Sequence, residues 1–291
     1  MRIGKPSYRD INTLLNQKLE ERGVLIAVHR GTSLGNIIEN TIPALKAAIQ
    51  HGGDMLEVDV CQSTDGIMYL FHDGAEPRLL KQSDNIKTMD SEKIESLTYY
   101  NRDYTKIDYK VERLDDLLST FKGDTLINID RAWDIWPALL KTLDKYEVSN
   151  QILLKGPVVK EQLEFLDQYE TKYMFMPIVH SLKDIETALA YPNLNLVGLE
   201  LIADSENHPL FQDALIEKLH QMNLFVWANA ITLDDKTVLF GGLDDDTSIM
   251  QDPDQGWGKL FEKNIDFIQT DWPTLLASYR DKKIGLHTNH R

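Results

Sequence analysis

MLEVDV (55–60), CQSTDG (61–66) and IMYLFH (67–72) decide how this chain folds. The outer two runs are β-rich, and only six residues join them. A parallel crossover needs a dozen residues or more, so IMYLFH must return as a hairpin arm through residues 63–66, with Asp65-Gly66 as the turn signal. A two-residue turn would set His72 opposite Asp59, and a four-residue turn would set it opposite Glu57.

Further β-rich runs flank this one: VLIAVH (24–29), TLINID (125–130), QILLK (151–155), YMFMPIV (173–179), LVGLEL (196–201), LFVWANA (224–230) and FIQTD (267–271). Helix-length amphipathic runs lie between most of them. TIPALKAAIQHG (41–52) has Asn40 or Thr41 as its cap and Gly52 as its stop; the others are 136–146, 158–169, 181–191 and 209–223. Strands that alternate with helices build βαβ units and a parallel sheet. With the hairpin arm set aside, eight parallel strands remain among 291 residues. That count predicts an α/β fold: a (β/α)8 TIM-type barrel with a hairpin strand and a small insertion after it. A doubly wound open sheet would carry a glycine-rich phosphate turn after its first strand, and HRGTSLGN is a poor match. One barrel domain is expected over 1–291, ordered from about 22 to 280, with an insertion at 74–112, a second irregular segment at 241–258 and a tail at 281–291 that includes HTNHR.

Composition narrows the function. A single cysteine cannot form an internal disulfide, which excludes a disulfide-stapled secreted domain. No apolar run is long enough to span a membrane, and the first 23 residues lack the apolar core of a secretory signal. A cytoplasmic enzyme is expected, with no stable membrane insertion. The net charge of −15, from 31 basic and 46 acidic residues, argues against nucleic acid or an anionic membrane as partner. An anionic small-molecule substrate would need local cations.

The polar residues inside strands carry the chemistry. Period-2 alternation puts Glu57 and Asp59 on one face of MLEVDV, and Leu126, Asn128 and Asp130 on one face of TLINID. Barrel strands turn apolar residues outward to the helices, so these acids point to the axis. Buried carboxylates without a cation are costly, and oxygen ligands of this kind suit Mg²⁺ or Ca²⁺. The competing reading is an exposed edge strand with solvated acids. His29 and His72 each end a β-rich run, at the rim where barrel enzymes keep their sites, which points to acid–base work. Arg30 adds a phosphate-matching fork. Lys155 is a candidate phosphate charge or a solvated loop lysine. Trp227 and Asn229 are candidates to wall a substrate pocket, with core packing as the alternative for Trp227. Glu200 is a further inward candidate. Asp271 is expected to cap the following helix. Cys61 lacks a reactive-cysteine signature.

In this order and near these spacings, HRG (29–31), ENT (39–41), EVD (57–59), TDG (64–66) and HD (72–73) resemble the glycerophosphodiester phosphodiesterases. NID (128–130), VWANA (226–230) and QTDWP (269–273) agree with later pieces of that family. The resemblance implies a (β/α)8 barrel, a divalent metal and two acid–base histidines. Carried over by position, His29 and His72 are the catalytic pair, Arg30 binds phosphate, and Glu57 and Asp59 are metal ligands. Asp130 stands where the family has a longer Glu as third ligand. Ala132 stands where the family often has Lys, and Lys155 is assigned that phosphate-neutralising role. Glu39 of the ENT motif is expected near the metal or the substrate. The segment after His72-Asp73, GAEPRLLKQSDN, lacks the family's usual Arg-Thr-Thr run.

The expected reaction is metal-dependent hydrolysis of a glycerophosphodiester to glycerol 3-phosphate and an alcohol. One histidine would deprotonate the vicinal hydroxyl, the other would protonate the leaving alcohol, and a cyclic phosphate would form between. The rivals are a phospholipase D- or C-like enzyme acting on lipid and a non-catalytic barrel that binds polyol phosphates. The first would want an exposed apolar or basic mouth, which the acidic loops do not promise.

Overall fold

A computed structural model describes residues 2–285 of the chain. Its strands are β1 (Leu25–Val28), β2 (Met55–Gln62), β3 (Met68–Leu70), β4 (Leu126–Asp130), β5 (Ile152–Pro157), β6 (Met174–Val179), β7 (Gly198–Leu201), β8 (Phe225–Asn229) and β9 (Phe267–Thr270). All except β3 run parallel, in the order β1-β2-β4-β5-β6-β7-β8-β9, and β9 pairs with β1 to close the ring. β3 pairs antiparallel with the outer end of β2 and stays outside. The eight-stranded barrel and its hairpin arm are both present.

Alternation along the strands explains the layers. Outward residues such as Val58, Ile127, Leu154 and Val226 form one core with the surrounding helices. Inward residues form a second, smaller core at the barrel floor, which includes Leu25, Met55, Leu126, Leu153, Phe225 and Phe267. Further up, the same inward faces turn polar. Glu57 and Asp59 lie two and four residues beyond Met55, Asn128 and Asp130 likewise beyond Leu126, and Lys155 two beyond Leu153. Ile3 and Leu15 seal the floor from below. The expected barrel began at about residue 22, yet Thr13–Arg22 is a helix. Its Leu15 is buried against the barrel floor, with Leu14 and Leu19 half-buried beside it and Ile11, just before the helix, packed on the same cluster.

The hairpin register differs from both expected ones. Val60 pairs with Leu70, Cys61 with Tyr69 and Gln62 with Met68. Three residues therefore bridge Ser63 and Ile67, with Gly66 at a φ of +92°. The Ser63 hydroxyl oxygen accepts from the Ile67 amide at 2.9 Å. Such a three-residue turn with a positive-φ glycine is a favoured hairpin loop. It shifts the register by one residue, so His72 lies beyond the paired region and opposite neither acid.

Thr41, not Asn40, caps the helix Ile42–Gln50. Residues 74–112 contain short helices, Glu76–Leu79 and Ser91–Ser96, which share an apolar cluster with the hairpin through Tyr69, Phe71, Ile86, Ile94 and Tyr99. The segment 241–258 is more regular than expected. Asp244 caps a helix over Asp245–Met250 by accepting from the Thr247 amide, and a second helix begins at Trp257. An Asp run is a helix start when it supplies the cap and the first turn. The last helix runs to Lys283, and residues 286–291, which contain HTNHR, lie outside the described residues. No helix among the described residues is long and apolar enough to cross a membrane.

One glycine is required by packing. A Cβ on Gly198 would lie 2.2 Å from the Phe225 ring. That ring packs on Phe267 at a centroid distance of 4.6 Å, and Phe267 stacks on Trp227 at 5.3 Å, so it has little room to retreat. Gly198→Ala is expected to destabilise the barrel by about 1–3 kcal/mol through overpacking. Chemical denaturation should show a lower midpoint at an unchanged slope.

Candidate active site

Glu57 and Asp59 rise from β2 and Asp130 from the adjacent β4, in register with Asp59. Each offers a carboxylate oxygen, and these atoms lie within 4.8 Å of one another. Glu57 and Asp59 are buried, which removes the edge-strand reading. Burial, and then the nearby Asp59 charge, push the Glu57 carboxyl above its ordinary range. The cluster could hold a metal ion. Its donors are all hard oxygens, as Mg²⁺ and Ca²⁺ prefer. Asn128, paired across the ladder with Glu57, leaves its buried Oδ1 without a hydrogen-bond donor among the described residues.

Two cations brace the acids. The Lys155 Nζ lies 2.6 Å from Asp130 and 3.3 Å from Glu200. Lys155 is only 3% exposed, so it is not a solvated loop lysine. Burial opposes its charge, but Asp130, Glu200 and Glu57 outweigh it and raise its pKa. Asn229 on β8 donates to Glu200 at 2.7 Å, and Trp227 donates to Asn229 at 2.9 Å. Trp227 is fully buried and reaches this network through Asn229. Arg30 has a left-handed backbone, φ +55°. That turn aims its amide at Glu57 (2.9 Å), while its guanidinium reaches Asp59 (3.0 Å) and Glu39 (3.0 Å). Glu39 also takes a two-pronged hydrogen bond from Arg78, both arms 2.8 Å. Asn40 donates to Asp59 at 2.9 Å and accepts from its amide at 3.0 Å.

The charge balance follows. Four carboxylates, Glu57, Asp59, Asp130 and Glu200, face two permanent cations, Arg30 and Lys155. Glu39 shares Arg30 with Asp59 and is also paired with Arg78. With all four carboxylates ionised the centre would carry two uncompensated negative charges, which one divalent cation would offset.

Both histidines sit at the rim. The His29 Nδ1 lies 2.9 Å from an Asp271 oxygen, which leaves Nε2 for a substrate. Burial works against a charge on this ring, but the Asp271 hydrogen bond and the Glu57 carboxylate outweigh it and raise its pKa. The His72 Nδ1 donates to the Asp73 carbonyl at 2.8 Å. A carbonyl can only accept, so neutral His72 carries its proton on Nδ1 and a lone pair on Nε2. Asp73 is 3.0 Å from Arg131, the residue after Asp130, and this ties the His72 loop to the end of β4.

Asp271 does not cap the following helix, whose start has no side-chain cap. Its carboxylate orients His29 instead. Its backbone is fixed by Asp245, which accepts from the Asp271 amide (3.0 Å), the Trp257 indole (2.8 Å) and the Thr270 hydroxyl (2.8 Å). Sequence reading thus missed the roles of Asn40 and Asp271, which it had read as helix caps, and missed Asp245 altogether. Asp271 carried a signal, because it follows β9 at the same rim as His29. Asp245 carried none, because its partners are remote in sequence.

A groove of about 650 Å³ adjoins His29 and Arg30. Its walls include Leu34, Trp272, Pro273 and Leu275. Leu34 is 71% exposed and Trp272 50%. The mouth therefore has the apolar wall that the acidic loops did not promise.

A family model described as a domain of unknown function matches residues 175–280. A glycerophosphodiester phosphodiesterase of Caldanaerobacter subterraneus subsp. tengcongensis is 29% identical over 142 residues, which cover 45% of this chain and 57% of that protein. The chain resembles the glycerophosphodiester phosphodiesterases. It spans a little over half the length of the curated relatives it matches. The crystal structure of a glycerophosphoryl diester phosphodiesterase from Parabacteroides distasonis has the same fold, with a TM-score of 0.74 at 14% identity over 98% of this chain and 94% of that one. An Oleispira antarctica phosphodiesterase in complex with the product sn-glycerol-3-phosphate gives a TM-score of 0.65 at 18% identity, over 88% of this chain and 96% of that one. The closed barrel of the glycerophosphodiester phosphodiesterases is thus shared along nearly the whole chain.

Burial raises the Asp245 carboxyl to about 7, although its hydrogen bonds oppose that shift. A raised native pKa means the folded state binds this proton more tightly than the unfolded chain does. The resulting stability is complete below about pH 4 and is lost as pH rises to about 7, by at most about 1.4 kcal/mol per pH unit. Asp245→Asn has no such proton. The stability difference between the parent protein and this variant should fall across that window, measured by denaturation at stepped pH.

Proposed function

We propose that the chain hydrolyses glycerophosphodiesters to glycerol 3-phosphate and an alcohol, with Mg²⁺ or Ca²⁺ held by Glu57, Asp59 and Asp130. The observation that carries this reading is the convergence of those three carboxylates below two rim histidines. A bound divalent ion would supply Lewis-acid stabilisation of the phosphate. Arg30 and Lys155 add fixed positive charge at the edge of the same cluster, where negative charge builds on phosphate oxygens in the transition state. Glu39 aligns Arg30 and keeps it from folding away.

The hydrogen bonds divide the proton work. His29 is held towards its charged form by Asp271, so it is the group to protonate the leaving alcohol. His72 keeps a free Nε2 lone pair, so it is the group to take the proton from the substrate's vicinal hydroxyl. That hydroxyl oxygen then attacks phosphorus, the alcohol leaves, and a cyclic phosphate results. Water opens the ring with the two roles reversed.

Release of glycerol 3-phosphate from glycerophosphocholine tests the reading directly. His29→Ala or His72→Ala should each lower kcat by roughly 10²–10⁴-fold with unchanged circular dichroism. A chelator should abolish turnover, and added Mg²⁺ or Ca²⁺ should restore it. Near-normal turnover by either variant, or full activity in excess chelator, would overturn the assignment.

Asp271→Asn offers a second check. A general acid must be protonated to act, so its pKa sets the alkaline limb of the pH–rate profile. Loss of the carboxylate lowers the His29 pKa. The alkaline limb should move to lower pH, with little change in the acid limb.

A further inference from the structure

Arg131 carries a long side chain on a left-handed backbone, φ +58°, directly after Asp130. Such a conformation is uncommon outside glycine and is kept where the surrounding contacts demand it. The Arg131 amide donates to the Asp130 Oδ1 at 2.7 Å. Its guanidinium donates to the Asp73 Oδ1 at 3.0 Å and lies 5.7 Å from the centre of the Trp133 ring. The second Asp73 oxygen lies 3.0 Å from the Nζ of Lys87, on the short helical turn Ile86–Thr88. Burial works against the Asp73 charge, but the hydrogen bonds from Lys87 and Arg131 outweigh it and hold its carboxyl below the usual range. The carbonyl of the same residue accepts from the His72 Nδ1, in a turn that the Ala75 amide closes onto the His72 carbonyl at 3.1 Å. Asp73 is therefore gripped from both sides, by the end of β4 and by the segment 74–112, while it holds the His72 ring.

We propose that Arg131 is a positioning residue that, through Asp73, fixes the ring orientation and the tautomer of His72. A neutral imidazole in water prefers its proton on Nε2. A ring that is to take a proton through Nε2 needs the opposite form, and an acceptor held at Nδ1 enforces it. The Asp73 carbonyl is that acceptor. A carbonyl turns with its own peptide plane, so the plane must not swing. The Asp73 carboxylate, clamped between Arg131 and Lys87, keeps it still. Arg131 also ties this turn to Asp130, because its amide and its guanidinium grip the two acids at once. The inference rests on the hydrolase reading above for the proton that His72 takes, whereas the way the ring is held stands without it. Arg131 acts only through Asp73 and exchanges no proton.

Two measurements test this. The first reads the ring nitrogens by proton–nitrogen NMR on histidine-labelled protein at alkaline pH, with the His72 signals assigned by their absence in His72→Ala. The parent should show a protonated Nδ1 and a bare Nε2. Arg131→Gly keeps the left-handed backbone without strain and removes the guanidinium. Asp73→Ala keeps the carbonyl and removes the carboxylate. In either variant the proton should pass to Nε2 in a large part of the molecules. The second is turnover of glycerophosphocholine with saturating Mg²⁺ or Ca²⁺. Each variant should lower kcat by about ten- to a hundredfold with KM little changed, as a misplaced catalytic group does. The double variant should lose no more than the worse single one, and Arg131→Lys, which keeps a cation for Asp73, should recover most of the loss. A parent His72 protonated on Nε2, or a tautomer that neither variant moves, overturns the proposal. So do unchanged kinetics in both variants, or a rise in KM at constant kcat, the mark of a direct phosphate ligand. A parent without turnover whose tautomer still shifts as expected leaves the proposal standing and sinks only the hydrolase reading.

Discussion

Negative charge held inside a barrel is the constraint from which the rest follows. Glu57, Asp59 and Glu200 are almost fully buried, and Asp130 stands beside them. Withdrawing one ion from water costs several kcal/mol even after relaxation. Nearly every polar contact at the mouth limits that cost. Lys155 and Arg30 neutralise in part, Asn40 and the Arg30 amide donate, and Asn229 secures Glu200. What they leave over is a cluster of carboxylates that could hold a metal ion. The residues that make the site costly to bury are the same ones that could offer oxygen ligands to a cation.

The barrel makes this affordable by dividing its interior. The lower inward positions are packed with Phe225, Phe267, Met55 and their neighbours, closed from below by Leu15. Stability comes from that floor and from the outer core between strands and helices. The polar tier above can then be arranged for chemistry, at the strand ends where barrel enzymes generally place their sites. Neighbouring strands in fixed register bring Asp59 level with Asp130, so side chains far apart in sequence meet without any mobile segment.

Much of this was legible in the sequence. Strand positions follow from apolar runs, and the six-residue link after Val60 removes one strand from the ring. The inward acids follow from period-2 alternation, which needs no knowledge of tertiary contacts. Three kinds of feature were hidden. Hairpin register depends on the count of turn residues, and one glycine at positive φ moved His72 away from both acids. The partner of a rim carboxylate depends on which loop lies across from it, so Asp271 read as a cap when it orients His29. The exposure of Leu34 and Trp272 depends on what fails to cover them, and no local pattern encodes that.

The hairpin leaves the ring at the end of β2, and the chain rejoins the barrel only at β4. Most of the stretch up to Val111 builds a lobe with its own apolar cluster, whereas the helix Leu114–Thr120 packs into the outer core of the barrel, and none of it adds a strand to the closed sheet. Arg78, which steadies Glu39, and Arg102, which borders the groove, both come from this lobe. A change in this lobe therefore reaches the entrance, through Arg78 and Arg102, before it reaches the closed sheet.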